Sequence, residues 1–444
     1  MDAREVALLT LNACERQGGW SDGVLKKQIA AAGLDSRDAG LATQLCFGVI
    51  QNRILLDFYL SKFSNIPLRR LEGKVLQALR LGLYQMLFLT RIPHSAAVDQ
   101  SVDLTRTHCK NPRAPGMVNA ILRNLERSLD RLPTIPEDDP AEYYATLYSH
   151  PAWLVRELLE TLGSEGTAAF LQADNSQPPI TAMVNTVKTD LEGAMEALQA
   201  EGVHGEPHPW LKNCLVLSRS GSLEELDAFQ KGLFYVQDPA SRLAVMALDP
   251  EPGSRVLDMC AAPGGKSFAA AIQMRDQGEI WSCDLHPHKK TLIQKGAQRL
   301  GLTCIRPQTA DGKVRRPEWE GAFDRVLVDA PCSGLGVIRK KPDIRFKDPE
   351  PLAGLPQVQS AILDNAAGYV KPGGVLVYST CTILERENRA VTDAFLAAHP
   401  EFRRESFLLP GPAGEVSGGQ ITLWPQVHGT DGFYICKLRK DGEA

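Results

Sequence analysis

A chain of 444 residues is too long for one hydrophobic core, so two or three domains are expected. Its 43% hydrophobic and 23% charged residues are an ordinary globular composition. No apolar run reaches the roughly 18 residues that would span a bilayer, and the mixed-charge start Met1-Asp2-Ala3-Arg4-Glu5 is unlike a signal peptide, which predicts a cytoplasmic protein without membrane contact.

The net charge of −4 is unevenly spread: residues 1–130 hold 17 Lys and Arg against 12 Asp and Glu, the remainder 32 against 41. A basic N-terminal part suits a polyanionic partner despite the acidic total. Residues 1–130 read as helical throughout. Val75, Leu79, Leu83 and Leu87 recur every four residues, as do Leu41, Leu45 and Val49, which predicts an all-α bundle. Pro133, Pro136 and Pro140, with Glu137-Asp138-Asp139 between them, cannot continue a helix and read as a linker. Residues 145–234 form a smaller α+β region, with strands expected at 180–184 and 214–217 and a helix at 191–199.

From residue 235 to 444, strands and helices alternate. Strands are expected at 255–258, 280–283, 325–329 and 375–378, and helices at 266–274, 289–300, 358–369 and 385–396. This pattern predicts an α/β, Rossmann-like domain with a mostly parallel sheet. Residues 432–438 close it as a last strand, antiparallel to the others. Ten cysteines show no Cys-x-x-Cys pair and nine histidines no ligand spacing, so neither a disulfide framework nor a metal is expected. Cys332, in Asp329-Ala330-Pro331-Cys332-Ser333-Gly334, and Cys381, in Ser379-Thr380-Cys381-Thr382, each follow a β-branched run. Both thiols should therefore emerge at strand carboxyl ends, where open α/β sheets hold ligands. Two thiols beside one pocket suit covalent chemistry on a pyrimidine: a thiolate adding to carbon 6 makes carbon 5 nucleophilic, and a second group then helps expel the first. Arg339-Lys340-Lys341, Arg345 and Lys347, downstream of Cys332, read as phosphate contacts.

The first strand runs into Asp258-Met259-Cys260-Ala261-Ala262-Pro263-Gly264-Gly265-Lys266-Ser267. Cys260 stands where a phosphate-cradling loop needs glycine, and no Gly-x-Gly-x-x-Gly is present. Asp284 ends the second strand, where a carboxylate can hold ribose hydroxyls. Asp258, Asp311 and Asp329 add three more carboxylates at loop or strand ends, a rim suited to a cationic sulfonium nucleoside rather than a pyrophosphate. S-adenosylmethionine is such a nucleoside.

These motifs resemble the RNA cytosine-C5 methyltransferases of the Nol/Nop/Sun superfamily. The resemblance implies Cys381 as nucleophile, Cys332 as the thiol that assists release, and Asp329 and Lys266 as their helpers. Cys260, Ala261, Ala262, Pro263, Gly264, Gly265 and Lys266 would line S-adenosyl-L-methionine, Asp284 its ribose and Asp311 its adenine, with Asp329 between donor and base. The product would be S-adenosyl-L-homocysteine, with no metal. Ile92-Pro93-His94-Ser95-Ala96-Ala97-Val98-Asp99-Gln100 and Gly116-Met117-Val118-Asn119-Ala120-Ile121-Leu122-Arg123-Asn124 resemble the helical RNA-binding domain of the antitermination factor NusB. That domain fused to this catalytic module is similar to bacterial small-subunit ribosomal RNA methyltransferases. The resemblance therefore implies a NusB-like domain over 1–132, an RRM-like domain over 145–234 and a catalytic domain over 235–444. The implied partner is 16S rRNA, naked or in early assembly, with no obligate protein partner. A tRNA substrate, or a non-catalytic assembly factor, remains open at the level of sequence.

Overall fold

The computed structural model describes residues 1–17, 20–218 and 221–442. They form two compact units, one of Met1–Asn175 with Lys341–Lys347, the other of Ser176–Lys340 with the chain from Asp348 onward.

The first unit is helical: α1 (Ala3–Gln17), α2 (Ser21–Ala32), α3 (Ser36–Gln51), α4 (Arg53–Phe63), α5 (Gly73–Phe88), α6 (His94–His108), α7 (Ala114–Glu126), α8 (Pro140–Leu147) and α9 (Ala152–Asp174). Every residue from Val75 to Met86 is buried, which makes α5 the central helix. An α5 that is apolar on nearly every side can be stable only when surrounded. Pro140 opens a helix as well as closing a loop: it occupies the first turn of α8, where its missing N–H costs nothing, and Asp139 caps the helix by accepting from Ala141 N–H. Residues Lys341–Lys347 run through this unit as a strap. Arg345, 1% exposed, donates to the carbonyls of Gln51 (2.7 Å) and Ser149 (3.0 Å), and to Asn175 Oδ1 (2.5 Å). Phe346 lies 3.3 Å beneath the Arg53 guanidinium, and Ser21 Oγ donates to Asp343 (2.6 Å).

The second unit holds two principal sheets. The smaller contains β1 (Ile180–Val184), α10 (Leu191–Ala200), β2 (His204–Pro207), β3 (Cys214–Ser218), α11 (Asp227–Gln230) and β4 (Phe234–Val236), with antiparallel strand order β2-β3-β1-β4. That is a ferredoxin-like arrangement. Neither central strand, Ile-Thr-Ala-Met-Val or Cys-Leu-Val-Leu-Ser, carries the aromatic residues on which RRM domains stack bases.

The larger sheet is built from α12 (Pro239–Leu248), β5 (Arg255–Asp258), α13 (Gly265–Gln273), β6 (Glu279–Asp284), α14 (Pro287–Leu300), β7 (Ile305–Thr309), β8 (Phe323–Asp329), α15 (Pro349–Leu352), α16 (Leu355–Ala367), β9 (Val370–Thr380), α17 (Arg389–Ala398), β10 (Phe402–Arg404), β11 (Phe407–Leu408), β12 (Glu415–Val416), β13 (Gln420–Leu423), α18 (Pro425–His428) and β14 (Phe433–Lys440). β11 and β12 form a separate hairpin. The order of the large sheet is β10-β14-β9-β8-β5-β6-β7, with β13 also paired to β14. β7-β6-β5-β8-β9 are parallel and β14 is antiparallel to β9. Strand order reverses between β5 and β8. The crevice beyond their carboxyl ends is where such a sheet binds its ligand.

Candidate active site

Four adjacent parallel strands each deliver an aspartate at or just beyond the carboxyl end: Asp329 from β8, Asp258 from β5, Asp284 from β6 and Asp311 after β7. They do not act alike. Asp258 is fully buried and accepts from Ser267 Oγ (2.7 Å); burial pushes its carboxyl up to about 7, so it braces the loop rather than lining a rim. Asp284 accepts from His286 N–H (3.0 Å) and sits 3.6 Å from Lys289 Nζ. Asp311 accepts from Lys313 N–H (3.0 Å).

The loop from Cys260 to Gly265 is held close over the sheet by Ala261 N–H, which donates to the Cys283 carbonyl (2.7 Å). Gly264 has φ 114°, and a Cβ there would meet the Phe268 ring at 2.4 Å, so only glycine closes this turn. The turn presents the N-terminus of α13, whose free N–H groups suit an anionic group such as a carboxylate, while the neighbouring strand-end carboxylates suit hydroxyls and a cation. A nucleoside that carries all three fits that combination. Burial also raises Cys260 well above an ordinary thiol, which keeps it protonated and unreactive within the loop.

Lys266, at the start of α13, places Nζ 2.6 Å from Asp329 Oδ2 and 5.2 Å from the Phe433 ring centre. Burial opposes its charge, but the Asp329 carboxylate outweighs that, with Cys381 adding to it, and the ammonium is held above its ordinary pKa. Asp329 and Ser379 are register partners across β8 and β9, and Ser379 Oγ donates to Asp329 Oδ1 (2.8 Å). Cys381 follows two residues later. Its Sγ lies 3.3 Å from Cys332 Sγ. Hydrogen bonding to Cys381, then burial, then the charges of Cys381 and Glu387 raise Cys332 well above an ordinary thiol. Cys332 therefore stays S–H.

The two cysteine loops are joined to one another. Ser333 Oγ and Thr382 Oγ1 are 2.7 Å apart, and Gly336 N–H donates to the Cys381 carbonyl (3.0 Å). A Cβ on Gly336 would fall 1.8 Å from the Gly432 carbonyl oxygen, so the backbones cross there only because no side chain intervenes.

The structure thus brings Cys381, Cys332, Asp329 and Lys266 into one cluster and sets the Cys260–Gly265 loop, Asp284 and Asp311 along the neighbouring strand ends. Sequence reasoning missed Ser379, whose only signal is its place beside Thr380-Cys381, and Ser241, whose Oγ lies 3.4 Å from Lys266 Nζ. The basic run downstream of Cys332 is largely not a phosphate surface. Arg339 Nε is 2.7 Å from Asp431 and Lys340 Nζ is 2.8 Å from it, while Arg345 is consumed by backbone carbonyls in the helical unit. Those partners lie about a hundred or more residues away in sequence, out of reach of local reading.

Fold and cluster together define an S-adenosylmethionine-dependent methyltransferase of the RNA-modifying class. Residues 245–439 match the family 16S rRNA methyltransferase RsmB/F, residues 1–127 the NusB family, and residues 150–224 the ferredoxin-like domain of RsmF/B-like methyltransferases. The chain is 39% identical to "Probable ribosomal RNA small subunit methyltransferase B" of Bacillus subtilis over 446 residues, 99% of each chain. Among solved structures, that of PH0851 superposes with TM-score 0.81 at 26% identity over 99% of each chain. NSun6 from Pyrococcus horikoshii, solved with SFG, shares the fold at TM-score 0.58 and 22% identity over 67% of this chain and all of its own. The chain belongs to the RsmB/F family of 16S rRNA methyltransferases, with a NusB-like domain at its N-terminal end.

Proposed function

We propose that this chain methylates carbon 5 of a cytosine in 16S rRNA through a covalent bond between Cys381 Sγ and carbon 6 of the base. The observation that carries the reading is the 3.3 Å approach of the Cys332 and Cys381 sulfurs beside the Lys266–Asp329 pair at 2.6 Å. S-adenosyl-L-methionine supplies, when bound, a methyl group made electrophilic by its sulfonium. The Cys260–Gly265 backbone, Asp284 at the ribose and Asp311 at the adenine would hold it, with Asp329 between donor and base.

The rest is done by this chain's own groups. An ammonium near a thiol stabilises its anion, so Lys266 favours the thiolate at Cys381. Addition of that sulfur to carbon 6 moves the ring's electron pair toward carbon 5, which becomes the nucleophile. Asp329, fixed by Lys266 and Ser379, orients the cytosine. After transfer, Cys381 is a neutral thioether and no longer an anion beside Cys332, so Cys332 can release its own proton to solvent; its thiolate then takes the carbon 5 proton, the pair returns to the ring and Cys381 leaves as the thiolate. The base must be unstacked to be reached on its face, so the target lies in a loop or a single-stranded segment. The NusB-like residues 1–132 and the region 145–234 supply RNA affinity and placement, residues 235–444 the chemistry, and the site of action is the cytoplasm, on naked rRNA or an early assembly particle.

The test is methyl transfer from labelled donor to 16S rRNA by purified variants. Cys381→Ala loses transfer with an unchanged melting temperature, whereas Cys332→Ala accumulates a denaturation-resistant protein–RNA complex. Transfer by Cys381→Ala at the wild-type rate would falsify the assignment. Bisulfite mapping of the rRNA with and without the protein identifies the base, and methylation confined to tRNA would redirect the substrate.

A further inference from the structure

Between the short turn at Glu385–Glu387 and α17 stand two adjacent buried polar residues, Glu387 (0% exposed) and Asn388 (2% exposed). The sequence pattern predicts an unbroken helix here, but Asn388 has φ −110° and ψ −100°, which breaks it and turns the two side chains toward different loops. Glu387 Oε2 accepts from Ser333 N–H (2.9 Å), the residue after Cys332, and from Gln359 Nε2 (2.9 Å). Gln359 Nε2 also donates to the Pro331 carbonyl (3.0 Å), on the other side of Cys332. Asn388 does the same for the second thiol. Its Oδ1 accepts from Thr380 Oγ1 (2.5 Å) and its Nδ2 donates to the Thr382 carbonyl (3.0 Å), the residues before and after Cys381. Tyr378 OH donates to the Glu387 carbonyl (2.7 Å) and fixes the pair's own backbone.

We propose that Glu387 and Asn388 are positioning residues that together set the separation of the two active-site sulfurs, Glu387 with Gln359 gripping the Cys332 loop and Asn388 gripping the Cys381 loop. Because they are consecutive, one peptide unit ties the two grips together, in addition to the direct Ser333–Thr382 and Gly336–Cys381 contacts between the loops. A buried carboxylate with no cation within ion-pair distance among the described residues is expensive to keep, and such arrangements persist where geometry matters. Its charge has a second effect. Among the causes that hold Cys332 above its ordinary pKa, after the hydrogen bond to Cys381, burial and the charge of Cys381, stands the charge of Glu387. The clamp thus keeps Cys332 as the S–H partner and leaves the anion to Cys381.

This inference rests on the covalent reading of the two thiols, and the experiment separates the two. In the full-length, donor-free protein, diamide takes two electrons and two protons from the thiol pair and closes a disulfide at a rate that reports their spacing. Glu387→Gln keeps an acceptor for Ser333 and removes the charge. It should fold, bind S-adenosylmethionine with unchanged affinity by calorimetry, and lower the pH midpoint of Cys332 alkylation by about one unit, with kcat reduced at least tenfold and KM for rRNA within twofold. Asn388→Ala should slow disulfide closure at least tenfold. If that variant does not fold, Asn388→Asp, which keeps the acceptor and loses the donor, carries the measurement. Disulfide closure and alkylation midpoints equal to wild type in folded variants overturn the proposal, as does a kcat loss matched by equal losses of donor affinity and melting temperature. Wild-type closure kinetics do not depend on methyl transfer, so a failure of the cytosine reading leaves this outcome legible.

Discussion

Two aspartates that end neighbouring strands show how environment divides labour between like residues. Asp329 is spent on Lys266 and Ser379, in the cluster that holds the two close thiols. Asp258, one strand away, is sealed against Ser267, which is itself 2.7 Å from Ser282 Oγ, and burial lifts its carboxyl to about 7. A folded pKa above the unfolded value means that the protonated carboxyl stabilises the fold. The contribution is complete below about pH 4 and is lost as pH rises through 7. Asp258→Asn should therefore flatten the pH dependence of stability between pH 4 and 7, and should stabilise the protein at pH 8 by up to a few kcal/mol, as measured by urea unfolding at pH 5 and 8. From sequence, Asp258 and Asp329 are equivalent strand-end carboxylates; each takes a serine hydroxyl, and what distinguishes them is the Lys266 ammonium on Asp329 and the complete burial of Asp258. The thiols, by contrast, are legible, because a strand's carboxyl end fixes where a side chain emerges whatever packs around it.

At the level of elements, legibility follows whether an element's pattern is set by its own burial. β5, β6, β8 and β9 lie inside the sheet, and their apolar runs announce them. β7 is at the sheet's edge, where Pro307 is tolerated because one side of the strand needs no partner, and the interruption hid it. The strap Lys341–Lys347 has no pattern at all, since its role lies in where Arg345 donates. Replacing Arg345 by Met leaves the carbonyls of Gln51 and Ser149 without their donor, and should cost the helical unit about 2–4 kcal/mol in chemical denaturation. The same change reaches His150, a buried residue bonded to Asp174 (2.9 Å), whose pKa burial first and Arg345 second depress to about 4. Stability from the neutral ring is present above pH 6.5 and lost as pH falls through 4. In Arg345→Met the His150 titration should move upward, toward 6.5, as NMR of the imidazole protons will show.

Over the whole molecule, a basic excess in residues 1–130 stands against an acidic remainder, the charge distribution that the proposed function calls for. The division into units does not follow the order of the chain. A fragment ending at Asn175 contains α1 to α9 of the first unit and none of its strap. It should melt below the corresponding transition of the full-length protein and lose amide protection at the ends of α3 and α8, where Gln51 and Ser149 bond to Arg345; equal protection in fragment and parent would show the strap to be dispensable. The discontinuity also imposes an order on biosynthesis. The helices emerge from the ribosome first, yet the guanidinium that seals them is polymerised only after the ferredoxin-like sheet and most of the parallel sheet, a wait of roughly ten to thirty seconds at about 5–20 residues per second. Until then the nascent helical part is unfinished, its Gln51 and Ser149 carbonyls without their donor, so its full stability is timed by the translation of a segment that belongs, in the order of the chain, to the other half.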